Sequence, residues 1–180
     1  MSGAAILRRS AVLEVRAKGR RLEGYAALFG VRANIAGVEE EIRAGAFASA
    51  VAPGQDVLAL VDHDPARLLA RTRSGTLRLS QDTRGLSFDL DVPDTSEGRD
   101  VLALAERGDL GGVSFGLTVP KGGESRANRV RVLEAVTLHE ISVVKAWPAY
   151  EGTSISARAL VGERQAMRLD HARRFLEALS

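Results

Sequence analysis

The stretch Gly111-Gly112-Val113-Ser114-Phe115-Gly116-Leu117 sets a single serine among glycines inside an otherwise strand-forming run. In extended backbone, successive side chains point to opposite faces. Leu110, Gly112, Ser114, Gly116 and Thr118 then share one side, and Val113, Phe115, Leu117 and Val119 share the other. The second face is apolar and reads as core. The first is bare apart from the Ser114 hydroxyl, and glycine within a strand marks places where a ligand or another backbone comes close. Two readings follow: a nucleophile on a surface cleared for an extended peptide, or a loosely packed strand whose serine faces water.

Upstream, Asp94-Thr95-Ser96-Glu97 offers caps for a helix with Val101, Leu102, Leu104 and Ala105 on its buried face and Gly108 as its stop. Downstream, the polar residues 122–128 read as a mobile loop beside the site, and residues 129–133 as a returning strand. Residues 136–145 form a second informative strand. Alternation puts Val136, Leu138, Glu140, Ser142 and Val144 on one face, and Thr137, His139, Ile141 and Val143 on the other. An ionised carboxylate among such apolar neighbours is costly unless a positive or hydrogen-bonding group meets it. Glu140 is therefore either the orienting partner of a histidine or one half of a structural pair with an arginine.

The histidine candidate lies earlier. Val57, Ala59 and Val61 alternate with Leu58 and Leu60, a strand apolar on both faces and so central, which ends at Asp62-His63-Asp64-Pro65. His63 emerges where that strand gives way to a turn, and imidazole, with an ordinary pKa near ~6.5, can take and return a proton near neutrality. The competing reading is a turn histidine bonded to an adjacent aspartate. Around this strand, a frayed start precedes a hairpin of residues 11–17 and 22–29 across Lys18-Gly19-Arg20, and residues 68–73, 76–80 and 86–92 form a meander. Glu39-Glu40-Glu41-Ile42-Arg43 reads as an edge strand with a solvated acidic face rather than a metal site, and residues 44–51 as a short helix before Pro53-Gly54.

Composition narrows the chemistry. The 180 residues suit one domain with a short appendage, and 45% hydrophobic residues suffice for a core. Lys+Arg 25 against Asp+Glu 23 leaves a formal charge of +2, with the basic residues scattered, so nucleic acid is not an expected partner. The absence of cysteine excludes disulfides, a thiol nucleophile and sulfur ligands for zinc. No apolar run approaches the ~20 residues of a membrane span, and the N-terminus lacks a secretory pattern, so a soluble cytoplasmic protein is expected. Residues 154–157 read as a last strand. From Glu163 the character changes: Leu169, Ala172, Leu176 and Leu179 make an apolar stripe at helical spacing, either packed on the main domain or binding a partner.

Histidine, serine and acid thus occur in that order, and their surroundings carry a resemblance. The segments are Gly24-Tyr25-Ala26 with Phe29-Gly30, Glu41-Ile42-Arg43-Ala44-Gly45-Ala46-Phe47, residues 57–64 ending in His63-Asp64, Ser74-Gly75-Thr76-Leu77, and Gly85-Leu86. They continue with residues 112–117, residues 138–144, and Pro148-Ala149-Tyr150 with Thr153. In this colinear order, over residues 11–158, the chain resembles the prohead proteases of tailed phages, capsid-maturation serine peptidases similar in fold to the herpesvirus assemblins.

The resemblance implies a mainly β protein with a few helices (α+β) and a closed or partly open β-barrel of the herpesvirus-protease type over residues 11–158, to which the helical spacing of the tail adds a C-terminal amphipathic helix over 159–180. It implies His63 as general base, Ser114 as nucleophile and an acid near residue 140 as third member. Face parity favours Glu140, while the second histidine used by the herpesvirus enzymes keeps His139 as the alternative. The implied activity is cleavage of the scaffolding segment of the major capsid protein, and of the chain itself, inside the assembling procapsid in the bacterial cytoplasm. No cofactor, metal, nucleic acid or membrane is expected, a homodimer is compatible with it, and the source is a phage, a prophage or a gene transfer agent. The competing class is a non-catalytic capsid-assembly or scaffold-binding module that docks through the C-terminal helix.

Overall fold

A computed structural model describes residues 6–11, 15–35 and 37–146. The predicted strand at 154–157 and the C-terminal helix lie outside the described residues. In chain order the strands are β1 (Leu7–Ala11), β2 (Val15–Lys18), β3 (Arg21–Leu28), β4 (Arg32–Ile35), β5 (Val38–Ile42), β6 (Leu58–Val61), β7 (Asp64–Arg71), β8 (Leu77–Gln81) and β9 (Gly85–Asp91). Helix α1 (Ser96–Arg107) follows, then β10 (Gly112–Thr118), β11 (Glu124–Ala127), β12 (Val130–Leu133) and β13 (Thr137–Val144). The protein is mainly β with one α-helix among these residues.

The strands form three sheets, ordered β1-β10-β13-β6-β7, β11-β12-β5-β4 and β2-β3-β9-β8. They do not close into a barrel among the described residues. Pairing slips at Tyr25/Ala27, at Gly116/Leu117 and around Leu60, and such bulges bend the strands. One apolar cluster is shared by all three sheets, with Leu22 and Leu90, Val113 and Ile141, and Ile42 and Leu133 in it. Phe47 is fully buried at its centre, edge-on to Phe115 at 5.9 Å between ring centroids.

Helix α1 forms as its caps predict. Thr95 Oγ1 accepts the Gly98 N–H at 3.1 Å, Gly108 closes the helix at φ 73°, and Val101 and Leu102 are buried. The hairpins β2–β3 and β8–β9 and the interior position of β6 also match the sequence patterns, but the expected meander is broken: β7 pairs with β6 in another sheet instead of joining β8 and β9.

Four further expectations are corrected. Residues 7–10, expected to be frayed, belong to strand β1, held by pairing to β10. Residues 44–51 form successive turns, with Ala46, Ala48 and Ala50 N–H each bonded three residues back, because Gly45 at φ 88° breaks a helical run and the chain then turns Phe47 inward. Residues 124–127 are β11, paired to β12, not a mobile loop, because a tight turn at Asn128 and Arg129 lets the two segments form a ladder. The Glu39–Glu41 run is not an edge: β5 lies between β12 and β4, and alternation turns Glu40 inward, 4% exposed, against Arg9 and Arg131.

Candidate active site

The loop that carries His63 is a two-residue hairpin turn, with Val61 opposite Asp64. Its central residues Asp62 and His63 both have positive φ, 50° and 61°, as a tight hairpin demands. Such turns favour Asn-Gly or Asp-Gly. A histidine there carries a local cost of order ~1–2 kcal/mol, the kind of strain that collects at functional positions.

The turn is held from several sides. Asp62 N–H donates to the Val143 carbonyl at 3.0 Å, and Asp62 Oδ1 accepts the Lys145 N–H at 2.9 Å. Arg67 on β7 donates to Asp62 Oδ2 at 2.9 Å and to Glu97 Oε1 at 2.5 Å, and Lys145 Nζ reaches the same Glu97 oxygen at 2.7 Å. The Arg67 guanidinium, and after it the Lys145 ammonium, hold the Glu97 carboxyl at about 2, well below its ordinary 4.5. The first turn of α1 is thereby clamped to the loop that presents the histidine.

His63 and Glu140 meet directly. His63 Nδ1 lies 2.8 Å from Glu140 Oε1, both side chains largely buried. With Nδ1 as the donor to the carboxylate, the neutral ring leaves the lone pair of Nε2 available as a base. The other carboxylate oxygen is fixed as well: Ser142 Oγ donates to Glu140 Oε2 at 2.6 Å, and the same hydroxyl accepts the His63 backbone N–H at 3.2 Å. One hydroxyl thus ties the carboxylate to the backbone of its imidazole partner.

Strand register explains how the serine joins this face. Across β10 and β13, Ser114 pairs with Ser142 and Gly116 with Glu140, and directly opposed residues share a face. A Cβ on Gly116 would come within 2.5 Å of Glu140 Oε1. That glycine therefore makes room for the carboxylate, a correction to the reading in which the bare face receives a substrate backbone.

The alternation predicted for residues 136–144 is corrected too. The register slips between Gly116 and Leu117, so that Leu117 pairs with Leu138 and His139 is the extra residue of a bulge. Leu138 consequently joins Ile141 and Val143 in the core, while Glu140 and Ser142 belong to the opposite face. Parity does not separate His139 from Glu140 across a bulge; their hydrogen bonds do. His139 Nε2 lies 3.0 Å from Thr118 Oγ1, whereas Glu140 meets His63.

Ser114 is fully buried, and its hydroxyl proton is directed to the Arg9 carbonyl of β1 at 2.6 Å rather than to His63. The serine shares the face of the imidazole–carboxylate pair but is engaged on its other side. A groove of about 480 Å³ lined by Tyr25, Arg78, Arg84 and Asp89 lies on the β3–β9–β8 sheet and contains none of these side chains.

A family model described as caudovirus prohead serine protease matches residues 9–168. The chain belongs to that family. Its members are serine proteases of phage prohead maturation. Neither the curated proteins nor the solved structures contain a match. Among the described residues no helix is long and apolar enough to cross a membrane.

The sequence reading missed Ser142 and Arg9. Ser142 carried a signal, since it lies two residues beyond Glu140 on the same predicted face. Arg9 carried none, because its carbonyl reaches Ser114 only through a pairing of segments more than a hundred residues apart.

Proposed function

We propose that this chain cleaves the scaffolding segment of the major capsid protein, and its own chain, during procapsid maturation, with His63 as general base, Ser114 as nucleophile and Glu140 as the acid that orients His63. The observation that carries this reading is the 2.8 Å contact of His63 Nδ1 with a Glu140 carboxylate whose second oxygen is also held. The carboxylate fixes the ring's tautomer and stabilises the imidazolium formed in the reaction. Ser114 turns its hydroxyl from Arg9 toward His63 Nε2. As the Oγ–C bond forms at the scissile carbonyl, its proton passes to Nε2. The imidazolium then protonates the leaving amine as the C–N bond breaks, and water hydrolyses the acyl ester by the same proton path.

The test is co-expression of the capsid protein with the wild-type chain or Ser114→Ala. Trimming by the wild type and its loss in the variant is the expected result; normal trimming by the variant removes the assignment. A second reading, a non-catalytic assembly module, draws on the complete burial of Ser114. Under it Ser114→Ala leaves capsid assembly intact and truncation after Arg158 abolishes capsid association.

A further inference from the structure

Strand β1 meets the candidate site at one peptide group. It runs antiparallel along β10, with Arg9 opposite Phe115 and Ser10 opposite Ser114, and the Arg9 carbonyl takes the Ser114 hydroxyl proton at 2.6 Å. The Arg9 side chain does not reach solvent. Only 5% exposed, it makes a two-point contact with Glu40, Nε to Oε1 at 2.5 Å and Nη2 to Oε2 at 2.8 Å. One residue therefore presents its carbonyl to the serine and its guanidinium to a carboxylate of the neighbouring sheet.

The charge balance around Glu40 suits an exchangeable cation. Glu40 Oε2 also accepts Arg131 Nη1 at 3.0 Å, and Arg131 is paired in turn with Glu124. Among the described contacts, Arg9 and Arg131 face Glu40 and Glu124. With Arg9 withdrawn, the other three groups retain one negative charge around a nearly buried carboxylate, which Arg131 keeps from being orphaned. Such a pocket admits a basic side chain and disfavours an apolar or acidic one. The fork of an arginine fits it at two points, a lysine at one.

We infer that β1 occupies the place of the substrate strand beside β10, and that Glu40 is the specificity-determining residue that selects arginine, and next lysine, immediately before the cleaved bond. This deepens the protease reading and rests on it. Arg9 stands where that residue of a substrate stands: its carbonyl carbon is the one to which Ser114 Oγ would add, and its bond to the next nitrogen the one to break. A substrate strand must displace β1 to enter, so the N-terminal strand competes with substrate for its own groove.

The experiment uses the full chain as wild type, Arg9→Ala, Glu40→Gln and Ser114→Ala. Each is given quenched fluorogenic peptides alike except for arginine, lysine, norleucine or glutamate before the cleaved bond, and each is separately labelled with a fluorophosphonate, which reports the reactive serine without reading the peptide. Arg9→Ala is expected to cleave the arginine peptide faster than wild type does, and roughly 10-fold or more faster than the norleucine peptide. Glu40→Gln is expected to lose that preference while still labelling at Ser114. Equal cleavage of the arginine and norleucine peptides by Arg9→Ala, or a preference that survives Glu40→Gln, overturns the inference while labelling keeps the protease reading intact. Absence of Ser114-dependent labelling and cleavage in every form overturns both. Should Glu40→Gln fail to fold, the peptide series with Arg9→Ala decides alone, since that variant keeps the Glu40–Arg131 pair.

Discussion

The two sides of β10 differ in readiness. Toward β13, the imidazole and carboxylate are already in contact, and Ser142, Gly116 and the clamped hairpin turn hold them there. Toward β1, the serine is buried and its proton is committed to a backbone carbonyl of the chain itself. The histidine–carboxylate half of the candidate site is thus assembled by the fold, whereas the serine half depends on what lies beside it. Under the proposed roles, a protease confined with its substrates in a particle gains from that division: the base is preorganised, and the serine stays covered until another strand takes the place of β1.

Removing the charge of the preassembled half has the largest expected effect. Glu140→Gln keeps the shape but loses the carboxylate that fixes the Nδ1 tautomer, and a fall in peptide cleavage of about 10³–10⁴-fold is expected in steady-state kinetics. A fall of only a few fold removes Glu140 from the reaction. Gly116→Ala tests the room made for that carboxylate. A Cβ within 2.5 Å of Oε1 displaces Glu140 from His63, with an expected loss of about 10²-fold in kcat and little change in KM. Wild-type kinetics in this variant would show that the carboxylate needs no cleared space.

Smaller effects are expected from the groups that support this pair. Ser142→Ala deletes one hydrogen bond to the carboxylate and one from the His63 backbone, and a loss of about 10-fold in kcat, largely rescued by Ser142→Thr, is expected. An unchanged rate makes Ser142 a packing residue only. The smallest effect is on stability. Because Arg67 and Lys145 hold the Glu97 carboxyl at about 2 in the folded chain, its stabilisation is present above the unfolded value near 4.5 and is lost as pH falls from there toward 2. Glu97→Gln is expected to cost up to about 1 kcal/mol at neutral pH, the contacts being partly solvated, and to flatten acid unfolding across that window in circular-dichroism melts. Identical acid profiles for variant and wild type remove the clamp from the stability of the turn.

Much of the fold was legible because it rests on local alternation and local caps. Strands β8, β9, β10 and β12, the helix from Ser96 to Arg107 and the central strand before His63 needed only period, propensity and stop signals. The errors fall where a distant segment decides. Glu40 looks solvated until Arg9 and Arg131 arrive from other strands. Residues 44–51 look helical until Gly45 takes a left-handed turn and Phe47 enters the core. The alternation of residues 136–144 looks regular until pairing with β10 inserts a bulge at His139.

The amino-acid sequence by itself determined the site's inventory: histidine at the end of an apolar strand, serine among glycines, glutamate in an apolar strand, and the family motifs that join them. Those are properties of residues and their near neighbours. Only the tertiary structure decided what each group touches. Gly116 faces a carboxylate rather than a peptide, Glu140 rather than His139 reaches His63, and Ser114 rests against Arg9. The physical reason is register, because a hydrogen bond requires its partners within ~3 Å, and which residues come that close depends on how strands far apart in sequence slide against one another.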